Sequence, residues 1–126
     1  MRVAYVDTSV LVAIGFGEPA AHRVRDRLAD FDILAAGDLL NAELRAAFRR
    51  ENTSPDPTLT AAISWIIPDR PLHREIDLVL RHAPLRGADC WHLAVALYLA
   101  DTPANITFLT LDDRQRQAAA TIGFAT

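Results

Sequence analysis

Apolar and polar positions fall in blocks along the chain, and the blocks change period. Val3, Ala4, Tyr5 and Val6 form an apolar run that reads as a strand over 2–6. Asp7 interrupts it, and a second apolar stretch, "VLVAIGF", follows at once, with Thr8 or Ser9 placed to cap a helix. A polar helix follows Pro19, through "AAHRVRDRLAD", and "DILAA" (32–36) reads as a second strand. Leu39, Leu40, Ala42, Ala46, Ala47 and Phe48 supply the apolar positions of a helix capped by Asp38 and running to about Arg50. "TSPDP" (53–57) is a loop, since its two prolines cannot continue a helix, and a short helix follows it. "SWII" before Pro68 reads as a third strand, Pro71 opens a helix to about His82, and Arg86 to about Ala100 forms a strongly apolar helix. "ITFLT" (106–110) is a strand rich in β-branched residues, and Asp113 to Ile122 is a last helix stopped by Gly123.

Strands alternating with helices imply the α/β class, with a parallel sheet covered by helices on both faces. No repeat, low-complexity tract or linker divides the chain, so one domain spans 1–126. In such sheets ligands bind beyond the carboxyl ends of the strands. Asp7 follows the first strand and Asp112 follows "ITFLTL", so two acids stand in that place.

Composition narrows the classes. The 126 residues suffice for a core that removes roughly two-thirds of the unfolded surface. The 51% hydrophobic and 23% charged residues are an ordinary globular balance. The lone Cys90 cannot form an internal disulfide and has no zinc-type partner spacing, which points to a reducing, cytoplasmic setting. Asp7 breaks any signal-peptide core, and no apolar run approaches the ~18 residues of a membrane helix. The net charge of −3 is not that of a chain coated in positive charge to hold nucleic acid. All 13 basic residues are arginine. The missing lysine excludes receiver domains and haloacid-dehalogenase-type phosphatases, which also place acids at strand ends. No glycine-rich phosphate loop is present.

Four carboxylates lie where a parallel fold could gather them: Asp7, Glu43 inside "LLNAELRAAF", Asp89 at the start of the apolar helix, and Asp112. Singly each has an ordinary explanation, for an acid at a helix start meets the helix dipole favourably. Together they would repel unless some took up protons or a cation joined them. A hard, oxygen-seeking Mg²⁺ or Mn²⁺ ion suits such a set, and the chemistry it implies is hydrolysis of a phosphodiester.

"YVDTSVLVA", "LLNAELRAAF", "LRGADCWHLAVA" and "FLTLDDRQRQAAATIGF" resemble, in order and spacing, the four signature stretches of PIN-domain proteins, and most closely the VapC-type toxin ribonucleases of bacterial toxin–antitoxin pairs. The resemblance implies a three-layer α/β/α sandwich around a parallel sheet, usually in a homodimer. It also implies Mg²⁺- or Mn²⁺-dependent endoribonuclease activity on RNA and a cognate antitoxin that blocks the site. The family's acids fall on Asp7, Glu43, Asp89 and Asp112. Asp7 and Asp89 are expected to be the principal metal ligands, with Glu43 and Asp112 completing the set. Thr8, Ser9 and Thr110 are expected to hold waters or orient carboxylates. The Thr110-x-Asp112 spacing favours Asp112 over its neighbour Asp113 as the ligand. One departure is the bulky Trp91 two residues after Asp89, where the family often has a small residue.

An anionic substrate at an acidic site needs positive charge nearby. Arg50, Arg86 and Arg114 are the candidates for phosphate contacts, against the plainer expectation that they pair with surface acids. His92, three residues after Asp89, is expected to be a satisfied, partly buried histidine, and Trp65 and Trp91 to pack rather than stack on bases. Two alternatives remain: a PIN nuclease of RNA processing outside any toxin pair, and an inactive PIN-like binding or regulatory module. All four acids are present, which counts against the second.

Overall fold

The computed structural model describes residues 1–126. The chain runs β1 (Val3–Val6), α1 (Thr8–Gly15), α2 (Ala21–Leu28), β2 (Ile33–Gly37), α3 (Leu39–Arg50), β3 (Ile63–Ile66), α4 (His73–His82), α5 (Gly87–Leu99), β4 (Ile106–Leu109) and α6 (Asp113–Ile122). The four strands form one all-parallel sheet in the order β3-β2-β1-β4. β1 is therefore central, with Tyr5 opposite Ala35 on one side and Phe108 on the other.

Successive strand residues face opposite sides of the sheet, and this sorts the core into two layers. Val6 and Ala36 face Val10 and Leu11 of α1 and Leu40, Leu44 and Phe48 of α3. Tyr5 and Phe108 face Val79 of α4, Leu93 to Ala96 of α5 and Ala118 and Ala119 of α6. The result is the three-layer α/β/α sandwich. α5 is apolar all round because sheet and helices enclose it, and Leu93 to Ala96 are fully buried.

Two expectations change in detail. The segment after "TSPDP" is one 3₁₀ turn, Pro57–Leu59, capped by Asp56 through Thr58 N. The cap of α1 is Asp7 itself, not Thr8 or Ser9: its backbone is extended and its carboxylate accepts from Ser9 N. Three capping residues stand in a row there, so local preference alone did not choose among them. Beyond α6, Gly123 takes φ 122°, a conformation open to glycine, and turns the chain back along β4. Phe108 N then donates to Ala125 O and Ala125 N to Ile106 O, which covers that edge of the sheet. No helix is long and apolar enough to cross a membrane.

Candidate active site

The parallel sheet delivers Asp7 to its carboxyl edge, and the three other acids come from helix starts or an adjoining helix face. Asp7 ends β1 and caps α1, Glu43 lies on the second turn of α3, Asp89 in the first turn of α5, and Asp112 caps α6.

Asp7 is 5% exposed. Its Oδ2 accepts from Ser9 N at 3.1 Å, from Ser9 Oγ at 2.6 Å and lies 3.2 Å from Thr110 Oγ1. Its Oδ1 accepts no hydrogen bond, and His92 Nε2 stands 3.9 Å from it. Glu43 repeats the pattern: Oε1 accepts from Thr8 Oγ1 at 2.8 Å and His92 Nε2 at 2.6 Å, and Oε2 is left free. Asp112 Oδ1 accepts from the backbone of Arg114 and Gln115, and Oδ2 is free. Asp89 accepts nothing through its side chain; its backbone carbonyl takes a 3.4 Å bond from Gln115 Nε2. Three carboxylates are thus pinned by one oxygen and offer the other, and the fourth offers both.

Titration follows from these surroundings. Asp89 is held above the usual carboxylate range, first by burial and then by the negative charge of Asp7 and Asp112. Glu43 is held below it, chiefly by the hydrogen bond from His92, against the opposing effect of burial.

Behind Glu43 lies a buried relay that sequence reasoning did not assemble. The Tyr5 hydroxyl accepts from Gly37 N at 2.9 Å and sits 3.0 Å from His92 Nδ1. With the Tyr5 proton donated to Nδ1, His92 carries its own proton on Nε2 and gives it to Glu43. Burial pushes the Tyr5 phenol well up, so it stays a neutral donor. His92 is fully buried rather than partly so. The available signal was its position one turn after Asp89 on α5; its partnership with Glu43, 49 residues away, was not local. Gln115 was also missed: it is 1% exposed, and its Oε1 lies 2.7 Å from Thr110 Oγ1.

The predicted arginines divide. Arg86 and Arg114 line one hollow of about 220 Å³ with Asp89 and Asp112. Neither is among the ion pairs, contrary to the plainer expectation. Arg50 does not reach this hollow; it is exposed in the last turn of α3. Asp113 pairs instead with Arg116, which also donates to Thr110 O. Trp91 packs against the core around α5, and Trp65 is 37% exposed on the edge strand β3.

The donor set suits a hard cation: four carboxylates, oxygen throughout, with free oxygens and a like-charge conflict at Asp89 that a cation would relieve. No three of these side chains meet within ligating reach of one point as they stand. Asp112 is exposed and Asp89 half-buried, and side-chain rotation there is what loading would require.

A family model for the PIN domain matches residues 4–121. The chain is also 30% identical over 127 residues to Ribonuclease VapC46 of Mycobacterium tuberculosis, an alignment that covers 99% of this chain and 96% of that protein.

Proposed function

The chain belongs to the PIN-domain family, and from that premise we propose that it is an endoribonuclease that hydrolyses RNA phosphodiester bonds with a divalent cation, as the toxin of a toxin–antitoxin pair. The observation that carries the reading is the common build of the acids: Asp7, Glu43 and Asp112 each have one oxygen anchored and one free, and Asp89 is wholly free. A plain cap such as Asp56 also anchors one oxygen, but it stands alone, whereas these four acids lie close enough for the charges of Asp7, Asp112 and Glu43 to act on Asp89.

Asp7 and Asp89 would hold the ion, Mg²⁺ or Mn²⁺, and Glu43 and Asp112 would complete the ligand set. When bound, the ion lowers the pKa of a water and neutralises charge gathering on the phosphate. The chain supplies everything around that event. Ser9 and Thr110 fix the plane of the Asp7 carboxylate, Thr8 and His92 fix that of Glu43, and the neighbours of these anchors are themselves hydrogen-bonded. Arg86 and Arg114, unpaired beside Asp89 and Asp112, draw the phosphate to the acids. No serine or histidine is asked to act as nucleophile.

In this reading RNA is the substrate, a cognate antitoxin blocks the acids, the chain works in the cytoplasm, and it pairs as a homodimer. The relative's name, Ribonuclease VapC46, supports the RNA substrate and the toxin assignment. Purified chain free of any antitoxin is expected to cleave single-stranded or loop RNA with Mg²⁺ or Mn²⁺ and to stop with EDTA. Asp7→Asn is expected to lose activity by at least about a hundredfold, the loss typical of a missing transition-state contact. Full activity in Asp7→Asn would sink the metal-site reading.

A further inference from the structure

A second hollow, of about 420 Å³, opens beside the first. The loop from Thr110 to Asp112 separates them: Thr110 and Leu111 line the second hollow, Asp112 the first. The second is walled by Arg23 and Arg27 of α2, Arg116 of α6 and Thr126, which makes no ion pair with any of them, above an apolar floor that includes Val10 and Leu111. Its arginines come from helices on opposite layers of the sheet, α2 with α1 and α6 with α4.

These arginines are not equivalent. Arg116 is spent on Asp113 and the Thr110 carbonyl. Arg25, on another side of α2, has the negative charge of Asp56 near it. Arg23 and Arg27 are four residues apart, on one face of α2, and neither has a carboxylate within ion-pair distance. Arg27 rests 5.7 Å over the Phe31 ring, which steadies the guanidinium and leaves its charge intact. Two uncompensated guanidiniums facing one hollow call for an anion. The site next door, crowded with carboxylates, would by itself repel one.

We propose that the second hollow is a phosphate subsite for the RNA strand, with Arg23 and Arg27 holding a backbone phosphate beyond the scissile one. The strand crosses the Thr110–Asp112 loop, with Arg86 and Arg114 holding it on the side of Asp89 and the α2 pair holding it on the other. The apolar floor accepts ribose or base face. This rests on the ribonuclease reading and adds to it the path of the strand.

The test is binding of a single-stranded RNA oligonucleotide, in the Asp7→Asn background so that it stays intact, with and without the double substitution Arg23→Gln/Arg27→Gln. Both positions are exposed, and thermal melting checks that the fold is kept. Affinity is expected to fall about five- to tenfold, and the slope of log Kd against log salt to shrink by about 0.7, for one phosphate on a single strand. Trimming the RNA from one end should abolish the effect of the double substitution, whereas trimming from the other end should abolish that of Arg86→Gln/Arg114→Gln. Unchanged affinity and slope, or an effect of the double substitution that survives trimming from each end in turn, overturns the proposal and leaves the hollow to an acidic segment of a protein partner. Cleavage by the chain with Asp7 intact, measured alongside, separates the two levels. If it cleaves RNA and the α2 substitutions change nothing, the subsite alone fails. If it neither binds nor cleaves RNA, the ribonuclease reading fails and takes the subsite with it.

Discussion

His92 and Asp89 share one turn of α5 yet affect the site in opposite ways. His92 supplies the hydrogen bond that holds Glu43 ionised, while Asp89 is an acid whose charge is resisted by burial and by its neighbours. The linkage signs follow. Glu43, depressed in the folded chain, adds stability that is present above its ordinary pKa and is lost as pH falls through the folded value. Asp89, raised in the folded chain, costs stability at every pH above its folded value, and the cost disappears below its unfolded value. Asp89→Asn should therefore melt higher than the unaltered chain at neutral pH, with the advantage vanishing below about pH 4, near the ordinary aspartate pKa. The same variant should lose RNA cleavage by at least about a hundredfold. Equal melting curves at pH 7 would count against the carboxylate conflict. Tyr5→Phe is the complementary change. It strands Gly37 N–H and His92 Nδ1 in the interior, which should cost about 1–3 kcal/mol in urea denaturation.

At the scale of elements, the relay depends on how closely β2, β1 and α5 approach. A Cβ on Gly37 would lie 2.9 Å from the Tyr5 hydroxyl and 3.4 Å from both Val95 methyls. Gly37→Ala is expected to cost about 1–3 kcal/mol by overpacking and to weaken cleavage by tilting Tyr5 away from His92, read by denaturation and by turnover of the same preparation. This crowding also shows what the sequence could and could not disclose. Every strand was legible, because a short apolar run bounded by a turn or a proline has few alternatives. The four acids were legible as a set, because each lies at a strand end or near a helix start. The relay through Tyr5 and His92 and the free state of Arg86 and Arg114 were not, since each depends on which distant side chain arrives alongside, and Asp7 as helix cap was hidden by Thr8 and Ser9, two further capping residues beside it. Arg50 shows the converse. It sits seven residues after Glu43 on the same face of α3, but about two turns further along the helix, and it does not line the hollow of Asp89 and Asp112.

For the whole molecule, the site joins both helical layers through the central strand: Glu43 comes from the α3 layer, Asp89 and His92 from the α5 layer, and β1 lies between. A ligand binding there should tighten the entire fold. Saturating Mg²⁺ or Mn²⁺, at about 100 times its Kd, is expected to stabilise the chain by about 2.7 kcal/mol by mass action. Asp7→Asn and Asp89→Asn should blunt that shift. A melting temperature that ignores the cation in the unaltered chain would remove the ion from the site, whatever the cleavage assay returns.

The strand order has a consequence for the making of the protein. β1 is synthesised first but sits between β2 and β4, and β4 is the last strand to leave the ribosome. Until then, one flank of β1 is bare and Asp112 has yet to join the other acids. A nascent chain, or a product cut short before residue 106, would lack the last acid and the strand that closes the sheet beside β1. The acids can gather only once β4 has paired with β1 and brought Asp112 to the edge of the sheet.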